Sequence, residues 1–271
     1  MSKTTKKKAT ASSVATTKTQ LLSLKNWNIG LAVLYAAQAV ALLVVSTGKS
    51  YPVTTTFLGK DTLASQVAGH SVVVSATRHI ADIPLVWLVA TFLLISAVVC
   101  VVRYWLNDDY EADLKGRRSS LRFIGYGLSA GVMTGIIGLI SGVSDVSALI
   151  LLFGFQMAAG LTWWAADRLA GKAPSWMLYW TGVAVGIVPW VVFAIYASSN
   201  LVYGNGVAGW ITAIYDSMFA LFVLFAANMW LSRKKVNRWK DFIFGERIFL
   251  VLALVAQTAL AWQLFVGALQ P

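Results

Sequence analysis

Cysteine and histidine are scarce in this sequence. Of its 271 residues, one is cysteine and two are histidine. The lone cysteine, Cys100, excludes an intrachain disulfide. His70 and His79 share one loop, so we expect no metal site or haem inside the fold. The sequence also lacks a P-loop and a credible pair of nucleophile and base. We therefore predict that the protein is not an enzyme.

Charge is scarce as well. Charged residues make up 12% of the chain and hydrophobic residues 58%, whereas a soluble domain usually carries about 25% charge. Apolar runs of about 20 residues recur, and each is long enough to cross a hydrocarbon core of roughly 30 Å. The sequence therefore predicts an all-α integral membrane protein whose surroundings are a lipid bilayer.

Seven apolar runs can be placed along the chain, and they predict a single bundle of seven transmembrane helices. The predicted spans are 27–47, 81–102, 123–142, 146–166, 176–197, 207–231 and 248–268. Residues 1–25 are rich in Ser, Thr, Ala and Lys, which predicts a disordered basic cytoplasmic tail ahead of a seven-helix domain at 26–271. The tail either only orients the first helix or also binds anionic lipid headgroups.

Basic residues are divided unequally between the two sides of the predicted bundle. The formal net charge is +11, and 19 of the 22 Lys and Arg residues fall on the side of the N-terminal tail. Only Lys49, Lys60 and Arg78 fall on the other side. Short loops rich in Lys and Arg stay in the cytoplasm. This predicts a multi-pass cell-membrane protein with its N-terminus inside and its C-terminus outside, and it explains the basic composition without a nucleic-acid partner.

The first outside loop, about 48–80, is the only long one. Its β-branched stretches at 53–57 and 72–75 predict a small β-hairpin. The hairpin is either a lid on the bundle or a contact to a second subunit. Glycines at four-residue spacing on the third helix, Gly127, Gly131 and Gly135, allow close helix approach. They serve either packing within the bundle or a homodimer face.

Few polar side chains lie inside the predicted spans. Asp216 is the one acid well inside a span, and we expect it to face the bundle interior. Its role there is either functional or that of an acceptor for Tyr and Trp donors. Asp145 is expected to cap the outer end of a helix. Five neutral polar residues are expected mainly to bond between helices; they are Gln38, Gln156, Asn228, Gln257 and Gln263.

Local signatures on three helices carry a family resemblance. They are Gly-Ile-Val-Pro-Trp at 186–190, the segment 126–133 on the third helix, and 245–263 on the seventh. From about Trp27 to Pro271 the chain resembles heliorhodopsin, the microbial rhodopsin family whose orientation is inverted relative to other rhodopsins. The resemblance implies a light sensor whose retinal forms a Schiff base with a lysine on the seventh helix.

The positions that would carry that chemistry depart from the family pattern. The lysine position is Gln257, whose amide cannot form an imine, and no lysine lies in any predicted span. The acidic counter-ion position, just before Tyr126, is Gly125. Two histidine positions near the family's Schiff base align with Tyr35 and Cys100. Loss of the lysine together with the acidic counter-ion is physically consistent, because either charge alone would be costly in the membrane interior.

We therefore interpret the chain as a heliorhodopsin-like receptor or interaction module without covalent retinal. Its partners would be an unknown cytoplasmic protein and, as a further hypothesis, a second copy of itself. The alternatives are a proton or ion path centred on Asp216, a non-covalent binder of retinal or another apolar ligand, and light sensing as in the family. The candidate pocket positions are Gln257, Gly125, Asp216, Tyr35, Cys100 and Trp190.

The charge asymmetry predicts where the two chain ends lie. A reporter fused to the N-terminus should be active only in the cytoplasm, and one fused after Pro271 only outside the cell. Paired fusions with alkaline phosphatase and a fluorescent protein measure this directly. Finding both ends on the same face would contradict the predicted topology.

Overall fold

The computed structural model describes the backbone of residues 2–172, 174–204 and 206–270, and their side chains apart from 2–22, 107–109 and 115. In these ranges seven helices are long and apolar enough to cross a membrane, which confirms the predicted seven-helix bundle. Their spans are Ser23–Val45, Leu85–Trp105, Ser120–Ser141, Val146–Arg168, Pro174–Tyr203, Gly209–Lys234 and Phe242–Leu269.

The elements follow one another in a simple order. The hairpin comes after the first helix, and short helices precede the third and seventh spans. The bounds are α1 Ser2–Val45, β1 Ser50–Asp61, α2 Thr62–Ala68, β2 Val72–Pro84, α3 Leu85–Trp105, α4 Asn107–Lys115, α5 Ser120–Ser141, α6 Val146–Arg168, α7 Pro174–Tyr203, α8 Gly209–Lys234, a 3-10 turn Asn237–Lys240, α9 Phe242–Leu264 and a π-helical turn Phe265–Leu269.

The start of α1 differs from the sequence prediction. Its helical backbone begins at Ser2, where the sequence predicts a disordered tail over 1–25. The difference has a physical reason, because a helix already nucleated in the membrane extends without a new nucleation cost, even through Ser and Thr, which are weaker helix formers than Ala and Lys. The side chains up to residue 22 lie outside the described part of the chain, and the division at residue 25 stays a prediction.

The helices form a ring in which α1 packs on α3, α3 on α5, α5 on α6, α6 on α7, and α8 on α9. The glycine stripe of α5 explains its close approach to α6. A Cβ atom added at Gly127 would lie 2.8 Å from the sulfur of Met157, and one at Gly131 would lie 2.6 Å from the ring of Phe153. These two glycines therefore pack within the bundle, which was one of the two predicted roles.

The outer surface of the spans is apolar, as a lipid-facing surface requires. Large hydrophobic side chains point away from the core along several helices, among them Val44 at 77% exposure, Val33 at 65% and Trp87 at 61%. A soluble protein would expose polar groups at these positions. The bilayer is therefore the medium that covers them.

The hairpin is present but longer than predicted. Strands β1 and β2 pair antiparallel from Ser50 opposite Pro84 to Asp61 opposite Val72, with a bulge between Val53 and Thr54. Because β2 continues to Pro84, the second span begins at Leu85 rather than at the predicted residue 81.

One aspartate joins the hairpin to the bundle. Asp145 caps α6, since one carboxyl oxygen accepts from the backbone N–H of Ser147 at 2.8 Å. Its other oxygen accepts from the N–H of Thr56 on β1 at 2.9 Å. Desolvation acts to raise the pKa of the Asp145 carboxyl, but these backbone donors outweigh it and hold the pKa below its ordinary value. The predicted cap thus also anchors the middle of strand β1.

Removing the Asp145 carboxylate should loosen the hairpin. In Asp145→Ala, amide hydrogen exchange of residues 50–61 should become faster at neutral pH. Because the folded pKa is lowered, the anchor is fully present above the ordinary pKa and is lost as pH falls through the folded-state value. The wild-type hairpin should therefore loosen in acid. The exposed Asp82→Ala on β2 is the control, and equal exchange in both variants would contradict the assignment.

Candidate functional site

A cavity of about 90 Å³ runs through the middle of the bundle, and every membrane helix contributes to its wall. Along α5 its lining extends from Arg122 to Ile137, which is about 22 Å of helix at 1.5 Å per residue. The cavity is therefore long and narrow. Space of this order holds several water molecules or a slender ligand.

Aromatic rings form most of one wall. Tyr126 lies 5.4 Å from Phe225 between ring centroids, and Phe225 lies 5.0 Å from Phe249. Farther along, Trp190 lies 6.2 Å from Phe222. Such edge-to-face and tilted packing fixes the rings in place. The wall is rigid and apolar, which suits a flat or extended hydrophobic ligand.

Five of the six predicted pocket residues lie together. Tyr35, Cys100, Gly125, Trp190 and Gln257 all line this cavity, although they come from five different helices. The family resemblance placed them in one pocket, and the fold brings them together around one cavity. What the group does chemically stays a proposal.

Asp216, the sixth, does not line the cavity. Its side chain is exposed on the outer face of α8, so the expectation that it faces the interior is wrong. The reason is helical phase. The buried face of α8 follows Ile214, Met218 and Phe222. Asp216 is two residues beyond Ile214, which is about 200° around the helix.

Four of the five predicted neutral polar residues do bond between helices. Gln38 accepts from the indole of Trp262, Gln156 donates to the Gly186 carbonyl, and Asn228 donates to the Gly245 carbonyl. Gln263 donates to Ser217 at 3.1 Å. These bonds join α1 with α9, α6 with α7, and α8 with α9, which is the predicted structural role.

Gln257 is the exception. It is buried at 4% exposure, yet its side-chain oxygen has no hydrogen-bond partner among the described residues. The indole N–H of Trp190 on the cavity wall is likewise without a partner there. A buried polar atom without a partner costs about 1–3 kcal/mol. Gln257 and Trp190 therefore contribute one acceptor and one donor without described partners to the residues that line the cavity. The Nε atoms of Arg103 and Arg122, which also line it, are two further donors of this kind.

No lysine belongs to the described lining of the cavity. The spans in the structure are longer than the predicted ones and include Lys25 and Lys234 at their ends. Both amines lie against rings outside the cavity. Lys25 is 4.8 Å from the Tyr104 centroid and Lys234 is 5.0 Å from that of Trp176. Neither is placed to react with a ligand in the cavity.

The space beside Gly125 is occupied. A Cβ atom added there would lie 2.8 Å from a methyl carbon of Val99. Valine is stiff at χ1 and yields little. An acidic side chain at this position would therefore require Val99 to move or to be smaller.

Charged residues form a buried cluster at one end of the cavity. We call this the basic end of the bundle; it comprises the ends of α3, α6 and α8 and the beginnings of α5, α7 and α9. Arg122 donates to Glu246 at 2.9 Å, and their side chains are 4% and 0% exposed. Asp167 lies 4.0 Å from Arg122. The pair thus lies in a low-dielectric interior, where removal of one partner is costly.

Neutral donors complete the surroundings of Glu246. The Ser119 hydroxyl donates to Glu246 at 2.9 Å, and the Tyr110 phenol at 3.2 Å. Burial first, and then the negative charge of Glu246, raise the pKa of the Tyr110 phenol. Tyr110 therefore keeps its proton and stays a donor at neutral pH. With Arg122, three side chains satisfy this one carboxylate.

The sequence prediction missed this cluster. It counted Arg103 and Arg122 as loop charges, but both are buried, at 4% and 3% exposure. Arg103 also lines the cavity. A local signal existed, because Arg122, Glu246 and Asp167 each lie next to the end of a predicted span. Charges so close to hydrocarbon require partners, and pairing them across helices would have indicated a network.

A family model described as Heliorhodopsin matches residues 24–269. No curated protein matches the chain. In the described residues, no group of three or more His, Cys, Asp or Glu side chains is arranged to hold a metal ion.

The Arg122–Glu246 pair should dominate stability at the basic end. Glu246→Gln should lower the free energy of unfolding by about 3–5 kcal/mol, because it leaves a buried arginine poorly compensated. Thermal unfolding in detergent measures this. Asp113→Asn is the matched control, since Asp113 lies 3.9 Å from Arg168 in a more exposed pair worth about 1 kcal/mol or less. Arg122→Gln combined with Glu246→Gln should recover part of the loss, and additive losses would contradict a direct pair.

Proposed function

Because the chain belongs to the heliorhodopsin family, we propose that it is a receptor-like membrane module whose central cavity takes an apolar ligand non-covalently. The ligand is an elongated hydrocarbon with a hydroxyl or carbonyl head. Retinal itself is one such molecule, held without a covalent bond. The family is one of light-sensing rhodopsins, and the proposal differs from the family in the attachment of the ligand.

Gln257 is the observation that carries the proposal. It lies on the cavity wall at the position that the resemblance assigns to the retinal lysine. A carboxamide nitrogen is not a nucleophile toward an aldehyde, and the cavity wall offers no other amine among the described residues. Retinal as a Schiff base therefore does not fit this set of side chains.

The counter-ion position supports the same conclusion. A protonated imine in a buried site needs an anion beside it. Gly125 supplies none, and Val99 fills the space where an acidic side chain would start. The buried carboxylate of Glu246 is already bonded to Arg122, Ser119 and Tyr110. The cavity thus favours a neutral ligand.

The polar atoms of Gln257 and Trp190 that lack partners indicate the ligand's head group. The Gln257 oxygen accepts and the Trp190 indole donates. A hydroxyl group can donate to the first or accept from the second, and a carbonyl can only accept. The aromatic wall supplies the apolar remainder of the site. A polyene alcohol can satisfy either atom, whereas an aldehyde can accept only from the Trp190 indole.

The remaining parts of the proposal concern orientation and partners. The charge asymmetry supports an N-terminus in the cytoplasm and a C-terminus outside. A cytoplasmic protein and a second copy of the chain stay hypotheses for the partner. Because Asp216 faces outward, the geometry gives no support to an ion path centred on it. Among the side chains that the structure describes, no arrangement argues for catalysis.

All-trans retinol and retinal test the proposal on purified wild-type protein. Retinol should quench tryptophan fluorescence saturably. Gln257→Leu should weaken retinol binding about tenfold, the effect of about 1.4 kcal/mol for one lost hydrogen bond. Gln263→Leu is the matched control, because Gln263 bonds to Ser217 outside the cavity. Equal weakening in both variants, or no saturable binding by the wild type, would overturn the ligand assignment.

Borohydride reduction after incubation with retinal tests the attachment. The wild type should yield no adduct on any transmembrane peptide, and Gln257→Lys should yield one at residue 257. Visible colour should also require Gly125→Glu with Val99→Ala, since Val99 would otherwise exclude the new carboxylate. A wild-type chromophore that hydroxylamine bleaches would contradict non-covalent binding and support a covalent light sensor.

A further inference from the structure

A second, larger cavity opens at the basic end of the bundle. Its volume is about 570 Å³, and its wall comes from the loop before α5, the ends of α6 and α8, and the start of α7. It is separate from the apolar cavity except at Arg122, which lines both. The family resemblance and the sequence motifs assign it no role.

The lining of this cavity is strongly cationic. Six of its side chains are basic, whereas Asp167 is the one acid in the described lining; the basic side chains are Arg117, Arg118, Arg122, Lys172, Arg233 and Lys235. Because Arg122 is already paired with Glu246, the excess of positive charge comes from the other five. Several like charges that converge on one hollow repel one another. An anion in the hollow relieves that repulsion.

The cationic groups are arranged by depth. Arg122 lies at the buried floor, Arg233 on the half-buried wall, and Arg117, Arg118, Lys172 and Lys235 on the exposed rim. A simple positive-inside loop would place its charges at the surface only. The positive-inside rule therefore does not explain why Arg122 and Arg233 lie below the exposed rim.

Arg233 is held in position before any ligand arrives. Its guanidinium donates to the hydroxyl and to the carbonyl of Ser175 at the start of α7. It also lies 5.7 Å from the centroid of Tyr179 and 6.0 Å from that of Trp176. Ring stacking and these bonds use only part of its five donors. The Arg233 guanidinium is therefore held along the cavity wall, and its remaining N–H groups can donate to an anion.

We propose that this cavity binds a phosphate group. A phosphate carries up to two negative charges and several acceptor oxygens, so it can use an arginine fork and several lysines at once. A carboxylate carries one charge and would leave most of the rim unbalanced. The group belongs either to a soluble phosphorylated compound or to a lipid headgroup, since the cavity lies at the membrane–water boundary. The proposal does not depend on the ligand of the apolar cavity.

Inorganic pyrophosphate is the probe for binding. The full-length protein in detergent, at constant ionic strength, should show a saturable rise in melting temperature with pyrophosphate that chloride does not produce. Arg233→Gln should weaken the apparent affinity at least about tenfold, as expected for a lost charge-assisted hydrogen bond. Lys172→Gln with Lys235→Gln should also weaken it, and because two mutually repelling charges are removed from exposed positions, the melting temperature without ligand should not fall.

Arg238→Gln is the matched control, because Arg238 is an exposed cation near the same end that does not line the cavity. Its affinity for pyrophosphate should equal that of the wild type. If Arg238→Gln weakens binding as much as the rim variant does, the effect is general charge screening and the proposal fails. It also fails if neither pyrophosphate nor the lipid below raises the melting temperature.

Lipid nanodiscs identify the source of the phosphate. One set contains phosphatidylcholine only, and a second adds a small fraction of phosphatidylinositol bisphosphate. If a headgroup is the ligand, the second set should be more stable than the first in the wild type but not in Arg233→Gln, and pyrophosphate should add nothing further. If a soluble compound is the ligand, pyrophosphate should stabilise both sets equally. Either pattern supports a phosphate site.

Discussion

The buried contact between Arg122 and Glu246 constrains the architecture of one whole end of this bundle. Two opposite charges 2.9 Å apart, with almost no exposure, lie between the beginnings of α5 and α9. Their desolvation is tolerable only with further bonds. Ser119 and Tyr110 supply these to Glu246, and Asp167 brings α6 close to Arg122. The desolvation of one ion pair thus constrains the positions of four helical segments, which are α4, α5, α6 and α9.

Away from that end, the interior is organised by neutral groups. Amide side chains join neighbouring helices in pairs, and each finds a carbonyl, indole or hydroxyl partner. Bonds of this kind contribute little individually, about 0.6 kcal/mol on average in a membrane. They do specify which helix faces lie together. Gln257 departs from the rule, and it does so where seven helices leave a space between them.

Local patterns in the sequence predicted much of this fold, because the length of an apolar run is itself a physical requirement of the bilayer. The spans, their order and the hairpin were found in that way. Asp216 was misplaced because its depth in the membrane follows from counting residues, whereas its direction depends on the buried face of α8. Helical phase had to be read from Ile214 and its neighbours rather than from Asp216 alone.

The charged cluster escaped sequence reasoning for a different reason. Counting basic residues by side treats Arg122 and Arg103 as equivalent to the solvated lysines of a loop. Only tertiary structure distinguishes them, since Glu246 lies more than a hundred residues from Arg122 along the chain. The prediction that five residues line one cavity depended on the family resemblance, because no local periodicity relates Tyr35 to Gln257.

Arg122 forms part of the wall of both cavities. Its guanidinium has a fixed number of donors, so a change in its pairing on one side alters what it offers on the other. By thermodynamic linkage, any effect that this side chain carries from an occupant of one space to the affinity of the other would be equal in both directions. One arginine side chain is therefore the point at which the lipid-like interior and the water-facing end of this bundle meet.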